Sequence, residues 1–170
     1  MDGWLAELGL APEERAERDG VVSWDLLLDG RRRVDIRLTL ILEPATALHC
    51  WVHFAPPLND SFRVSFRQFL RWNDELPFVK FALGSDERPV LIAELPLGAL
   101  DRDALGLAIC RLLAVCDLLL PESVRWLWPG ARQAPAMDRP SRAEHLFARY
   151  AARLPELIEA AAPDVPELHR

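Results

Sequence analysis

Histidine and cysteine are the side chains in this sequence best able to do catalysis or hold a metal, and their spacing speaks against both. His49 and His53 fall in one alternating stretch, "ALHCWVHF", and so share a strand face. Four residues of strand span about 13 Å, too far for a single ion. Cys50 sits between them on the opposite, apolar face with Leu48 and Val52, as a small buried hydrophobe does. Cys110 and Cys116 are six residues apart in an apolar helix, which turns them about 120° from each other, and no C-x-x-C is present. Neither a disulfide framework nor a zinc ribbon fits. No serine stands in a G-x-S-x-G elbow, and no glycine-rich phosphate loop occurs. Asp101 and Asp103 read as a helix cap and a first-turn acid. The sequence therefore offers no catalytic, cofactor-binding or metal-binding residue, and no cofactor is expected.

Charge narrows the partners. Of 170 residues, 20 are Lys or Arg and 26 are Asp or Glu, a net charge of −6. A nucleic-acid binder carries a basic footprint, and here the only dense cluster is Arg31-Arg32-Arg33, expected at a solvated hairpin tip. The N-terminal "MDGWLAELGL" has no basic region and is not a secretory signal. No apolar run is expected to approach the roughly 20 residues that cross a bilayer. No nucleic acid or membrane partner and a cytoplasmic location are expected.

The elements that would position a site follow from hydrophobic period. A short helix over residues 2–10, with Asp2 as its cap, leads into the polar connector "APEERAERDG". Strict alternation then marks a strand through Trp24, Leu26 and Leu28, a hairpin turn at Asp29-Gly30, and a second strand from Val34 to Leu42. A third strand runs from Ala47 to Phe54. Asn59, Asp60 and Ser61 offer caps for a helix reaching about Glu75, which Pro77 stops. Phe78–Leu83 and Pro89–Leu95 form a further hairpin, and Asp101 caps a helix over Arg102–Leu120. The fold class is α+β: an antiparallel sheet in the order α-β-β-β-α-β-β-α with helices packed on it, plus a C-terminal helical extension. Residues 1–122 form the domain and 123–170 a Pro-rich linker and extension, with a capping box at Ser141-x-x-Glu144 opening a helix through Leu146, Tyr150 and Leu157.

Two features stand out. Asn73 falls on the apolar line of Phe62, Phe66 and Phe69, where a buried amide needs partners; it is assigned a structural role, bonding backbone at the turn into the next strand. The helix after Asp101 is apolar nearly all round. Leu107, Ala114 and Leu118 carry apolar surface onto its outer side. Such a helix is covered twice, by a second subunit or by the C-terminal extension; the subunit is the preferred cover, making these three residues the candidate dimer interface.

The stretches "FLRWNDELPFVKFAL" and "LIAELPLGALDRDAL", with "WLAELGL" at the start, resemble the type III secretion chaperone-like fold over roughly residues 2–122, and within it the YbjN-type branch, labelled sensory transduction regulators. The resemblance implies small acidic homodimers that bind other proteins and carry no cofactor. The function expected is a non-enzymatic protein-binding module, a homodimeric chaperone-like or regulatory adaptor; the alternative is a small-molecule sensor or enzyme with a pocket between sheet and helices. Trp51, flanked by His49 and His53, is the candidate partner-binding surface. Its competing assignment is core beneath the C-terminal extension.

Overall fold

The computed structural model describes residues 1–57, 63–127 and 139–155. The chain runs α1 (Asp2–Glu7), β1 (Glu14–Arg18), β2 (Val21–Leu28), β3 (Ile36–Glu43), β4 (Ala47–His53), α2 (Arg63–Glu75), β5 (Lys80–Leu83), β6 (Pro89–Pro96), α3 (Arg102–Leu127) and α4 (Glu144–Tyr150). The strands form one antiparallel sheet in the order β1-β2-β3-β4-β6-β5. This is the expected α+β architecture. Its alternation places Leu26, Leu38, Leu40, Leu48, Cys50 and Leu91 on one buried face, against which α3 packs through β4 and β6. The expected caps Asn59, Asp60 and Ser61, and Leu157 of the last helix, lie outside the described residues.

Three local expectations are corrected. The polar connector contains a strand. β1 reads Glu-Arg-Ala-Glu-Arg and is exposed along its whole length, so an edge strand wet on both faces left no apolar period to detect. The hairpin turn is also displaced. Asp19 (φ 54°) and Gly20 (φ 79°) close β1 onto β2, with Arg18 paired to Val21. A two-residue turn of this hand needs positive φ at both positions, which Asp-Gly supplies. Asp29-Gly30 instead opens the longer loop from β2 to β3. Third, α3 continues through Pro121 to Leu127. The proline removes the bond to the Asp117 carbonyl, one turn back, while buried Leu119 and Ser123 on either side favour continuing the helix. Arg102–Ser123 is, contrary to expectation, long and apolar enough to cross a membrane by length and composition; two-thirds of that window is buried inside the protein, as in a core helix.

Of the two expected helix caps, one differs. Asp2 is the first residue of α1, not its cap, and its carboxylate accepts the Trp24 indole N–H at 2.7 Å. Asp101 does cap α3, accepting the Ala104 N–H at 2.7 Å.

The loop 29–35 is held by two buried carboxylates. Asp117 of α3 accepts the backbone N–H groups of Arg31, Arg32 and Arg33 at 2.5, 2.9 and 2.8 Å. The arginine cluster is therefore a loop wrapped on a buried anion and not a free hairpin tip. Gly30 lies so close to this carboxylate that a Cβ there would overlap it. Asp29, fully buried, accepts hydrogen bonds from the Asp35 N–H, the Arg142 N–H and the guanidinium groups of Arg139 and Arg142. Ser141 donates to the Asp29 carbonyl. Residues 139–155 are thereby tied to the loop, and α4 then lies along α3. Tyr150 fits over Gly106, where a Cβ would collide with its hydroxyl, and donates to Asp103 at 3.2 Å. His145 reaches the Leu8 carbonyl at 2.7 Å.

Burial pushes the Asp29 carboxyl upward, but the Arg139, Asp35 and Arg142 bonds outweigh it and bring it down to about 2 from 3.8. A depressed carboxyl contributes stability that is full above its unfolded value and lost as pH falls through the folded one. The expected loss is about 2 kcal/mol between pH 4 and pH 2. Urea denaturation of Asp29→Asn across that range should show this loss abolished, with the variant less stable than wild type at pH 7 by a similar amount.

Candidate functional site

The site is built on α2 and β5. Helix α2 buries Phe69 and Trp72. Both meet Phe54 and Phe81 in an aromatic cluster, with ring centroids 4.7 Å apart for Phe69–Phe81 and 4.9 Å for Phe54–Phe81. That packing presses one face of α2 against β5. Asn73 follows on the same side, half-buried. Its side-chain oxygen accepts the Phe81 N–H at 2.5 Å, and its amide nitrogen donates to the Phe81 carbonyl at 3.0 Å. One primary amide thus makes the pair of bonds that a neighbouring strand residue would make. β5 is the last strand of the sheet. The amide occupies its outward backbone groups at Phe81, so no further strand can pair there without displacing it. Lys80 fastens the same junction by donating to the Asn73 and Leu76 carbonyls at the end of α2, where a cation also complements the helix dipole.

Beside this contact, between the helix and the edge strand, lies a groove of about 210 Å³, lined by Phe66, Phe69, Leu70, Leu83 and Pro89, with Asn73 as its polar lining residue. Leu70 is 69% exposed and Leu83 45% exposed. Large apolar side chains so exposed on both rims mark a surface that could take apolar groups from outside. Nearby, Phe78 is exposed with φ 66°, a conformation unfavourable for an aromatic residue, and the Arg111 guanidinium stacks 3.9 Å from its ring centroid.

The other sequence-marked residues lie elsewhere. His49, Trp51 and His53 stand half-buried on the face of β4 opposite Leu48, Cys50 and Val52, away from α3. Trp51 lies in a row across the strands with Thr39 and Ile92. His49 sits between Glu94 at 3.4 Å and Glu43 at 3.7 Å. On α3, Leu107 is buried within the single chain, and Ala114 and Leu118 are half-buried against the core. The structure therefore separates the two groups by the thickness of the sheet. Leu70, Leu83 and Pro89 carry no sequence signal as a group, because the groove exists only once α2 folds onto a strand whose sequence follows it. Among the described residues no three His, Cys, Asp or Glu are placed to hold a metal. Burial raises the thiols of Cys50 and Cys110 to about 12 and that of Cys116 to about 11, which keeps them protonated and poorly nucleophilic.

Residues 1–123 match the family model of YbjN, described as "Putative bacterial sensory transduction regulator". The expected resemblance is met, with nearly the same boundaries. No curated protein matches. Among solved structures, one chain of the heterodimeric complex ExoU-SpcU from the type III secretion system of Pseudomonas aeruginosa is similar at 24% identity with a TM-score of 0.49, covering 76% of this chain and 98% of that one.

Asn73→Leu keeps the branching of the side chain but strands the Phe81 N–H and C=O against an apolar group. The expected cost is about 1–3 kcal/mol in denaturant unfolding. Asn73→Asp, which keeps the acceptor for the N–H but faces the carbonyl with a second oxygen, should fall between wild type and Leu.

Proposed function

This chain belongs to the YbjN family, and on that premise we propose that it is a non-enzymatic protein-binding module, a chaperone-like or regulatory adaptor working in the cytoplasm, that holds an apolar segment of a partner protein. The groove between α2 and β5 carries this reading. Its rims are exposed leucines, its floor is aromatic, and the one polar side chain lining it among the described residues, Asn73, already spends its amide on Phe81. A small-molecule or catalytic pocket draws several polar groups toward one point. This groove does not, and it favours side chains over a polar ligand. With Asn73 occupying the edge at Phe81, the partner would bind by seating apolar side chains and not by adding a strand.

The test compares affinity capture from the source cells by wild type, Leu70→Asp with Leu83→Asp, and Trp51→Ala. Both leucines are surface residues, so the double variant should stay within about 1 kcal/mol of wild-type stability. The expected result is a partner held by wild type and by Trp51→Ala, and reduced at least about tenfold by the leucine pair, equivalent to 1.4 kcal/mol or more. A partner retained by the leucine variant and lost with Trp51→Ala would move the site to the far face of the sheet.

A further inference from the structure

The two edges of the sheet differ. The β5 edge is taken by Asn73 at Phe81. β1 pairs with β2 on one side only; on its outer side no described strand lies alongside, and all five residues are exposed. Charged residues on an edge usually deter pairing. Here their order does more. β1 reads Glu14-Arg15-Ala16-Glu17-Arg18, which is its own complement when the strand meets a copy of itself antiparallel. About a twofold axis at Ala16, Glu14 falls opposite Arg18 of the second copy, and Arg15 opposite its Glu17. On the axis itself, two small alanines meet. Directly opposed unlike charges favour a strand pair and like charges oppose it. Sliding the register by one residue sets Arg15 against Arg18, or Glu14 against Glu17. Sliding by two sets Glu17 or Arg15 against itself. Only one register satisfies all the charges of the strand. Glu13 and Asp19 would oppose each other just beyond its ends, where Asp19 is already in the turn with φ 54°. Within one chain Glu14 has no ion-pair partner among the described residues, and Arg15 and Arg18 reach only near neighbours, Asp2, Glu17 and Asp19.

We propose that β1 is a self-recognition edge through which two copies of this chain pair antiparallel about Ala16, joining two six-stranded sheets into one. An isologous contact of this kind is the commonest route to a dimer. Five residues of edge bury less than the ~1,200 Å² of a standard stable interface. The dimer is accordingly weak and concentration-dependent, and its exposed ion pairs make it sensitive to salt.

Sedimentation equilibrium tests this on the full chain. Wild type should approach twice the 19.3 kDa chain mass at about 100 µM and return to the single-chain mass at about 1 µM or in ~1 M salt. Two charge-reversed chains, Glu14→Arg with Glu17→Arg and Arg15→Glu with Arg18→Glu, should each remain single at every concentration while keeping wild-type circular dichroism. Mixed in equal amounts they should associate again, since their strands are now complementary to each other and not to themselves. A wild-type chain that stays single at the highest concentration would overturn the proposal. So would a reversed chain that associates as wild type does, or a mixture that fails to associate. Loss of the dimer in Leu118→Glu but in neither β1 variant would place the contact on α3 instead.

Discussion

An open antiparallel sheet ends in two strands that each expose backbone donors and acceptors on one side, and this protein depends on how those groups are met. At β5 the answer is a single side chain. Asn73 presents an oxygen and an N–H to the Phe81 N–H and C=O, which only a primary amide can do with one residue. Its reach is fixed by the aromatic cluster of Phe54, Phe69, Trp72 and Phe81, so the seal and the packing of α2 on the sheet are one arrangement. The groove lies beside it, between the helix and the strand, with Leu70 and Leu83 on its rims.

The remainder of the fold is held by carboxylates withdrawn from water and fully used. Asp117 gathers three successive N–H groups of the loop 29–35, and Asp29 gathers two arginines and two more N–H groups. Buried acids are costly unless their oxygens find donors, and each oxygen of these two does. Together they make residues 139–155 part of the same hydrogen-bonded body as β2, β3 and α3, with Tyr150 fitted against Gly106. Residues 139–155 thus cover one flank of α3, while Ala114 and Leu118 remain half-buried on its outer side.

Much of this architecture can be read from period alone. The alternation through Trp24–Leu28, Ile36–Leu42 and Leu48–Val52 predicts the central strands because each buries one face, and Pro77 marks the end of the middle helix. Features without an apolar period do not show. β1 has no buried residue, so only its charge order distinguishes it from a connector. Of the two Asp-Gly pairs that flank β2, the one at 29–30 follows the clearer strand, yet the turn forms at 19–20 because the carboxylate of Asp29 is needed inside. Asn73 is visible as a polar residue on an apolar line, but the identity of its partner depends on where β5 falls in the sheet. The groove is invisible for the same reason: Leu70 and Leu83 belong to elements joined only by the fold.

The central claim is that one edge of the sheet is sealed by Asn73 and the other left open for a copy of itself. Residue-resolved amide hydrogen exchange reads both edges in one experiment. The account predicts that the Phe81 amide is protected at every protein concentration, while outward amides of Glu14–Arg18 exchange rapidly in dilute solution and become protected as concentration rises. A Phe81 amide exchanging as fast as loop amides, or β1 amides whose exchange is unchanged by concentration, would contradict it.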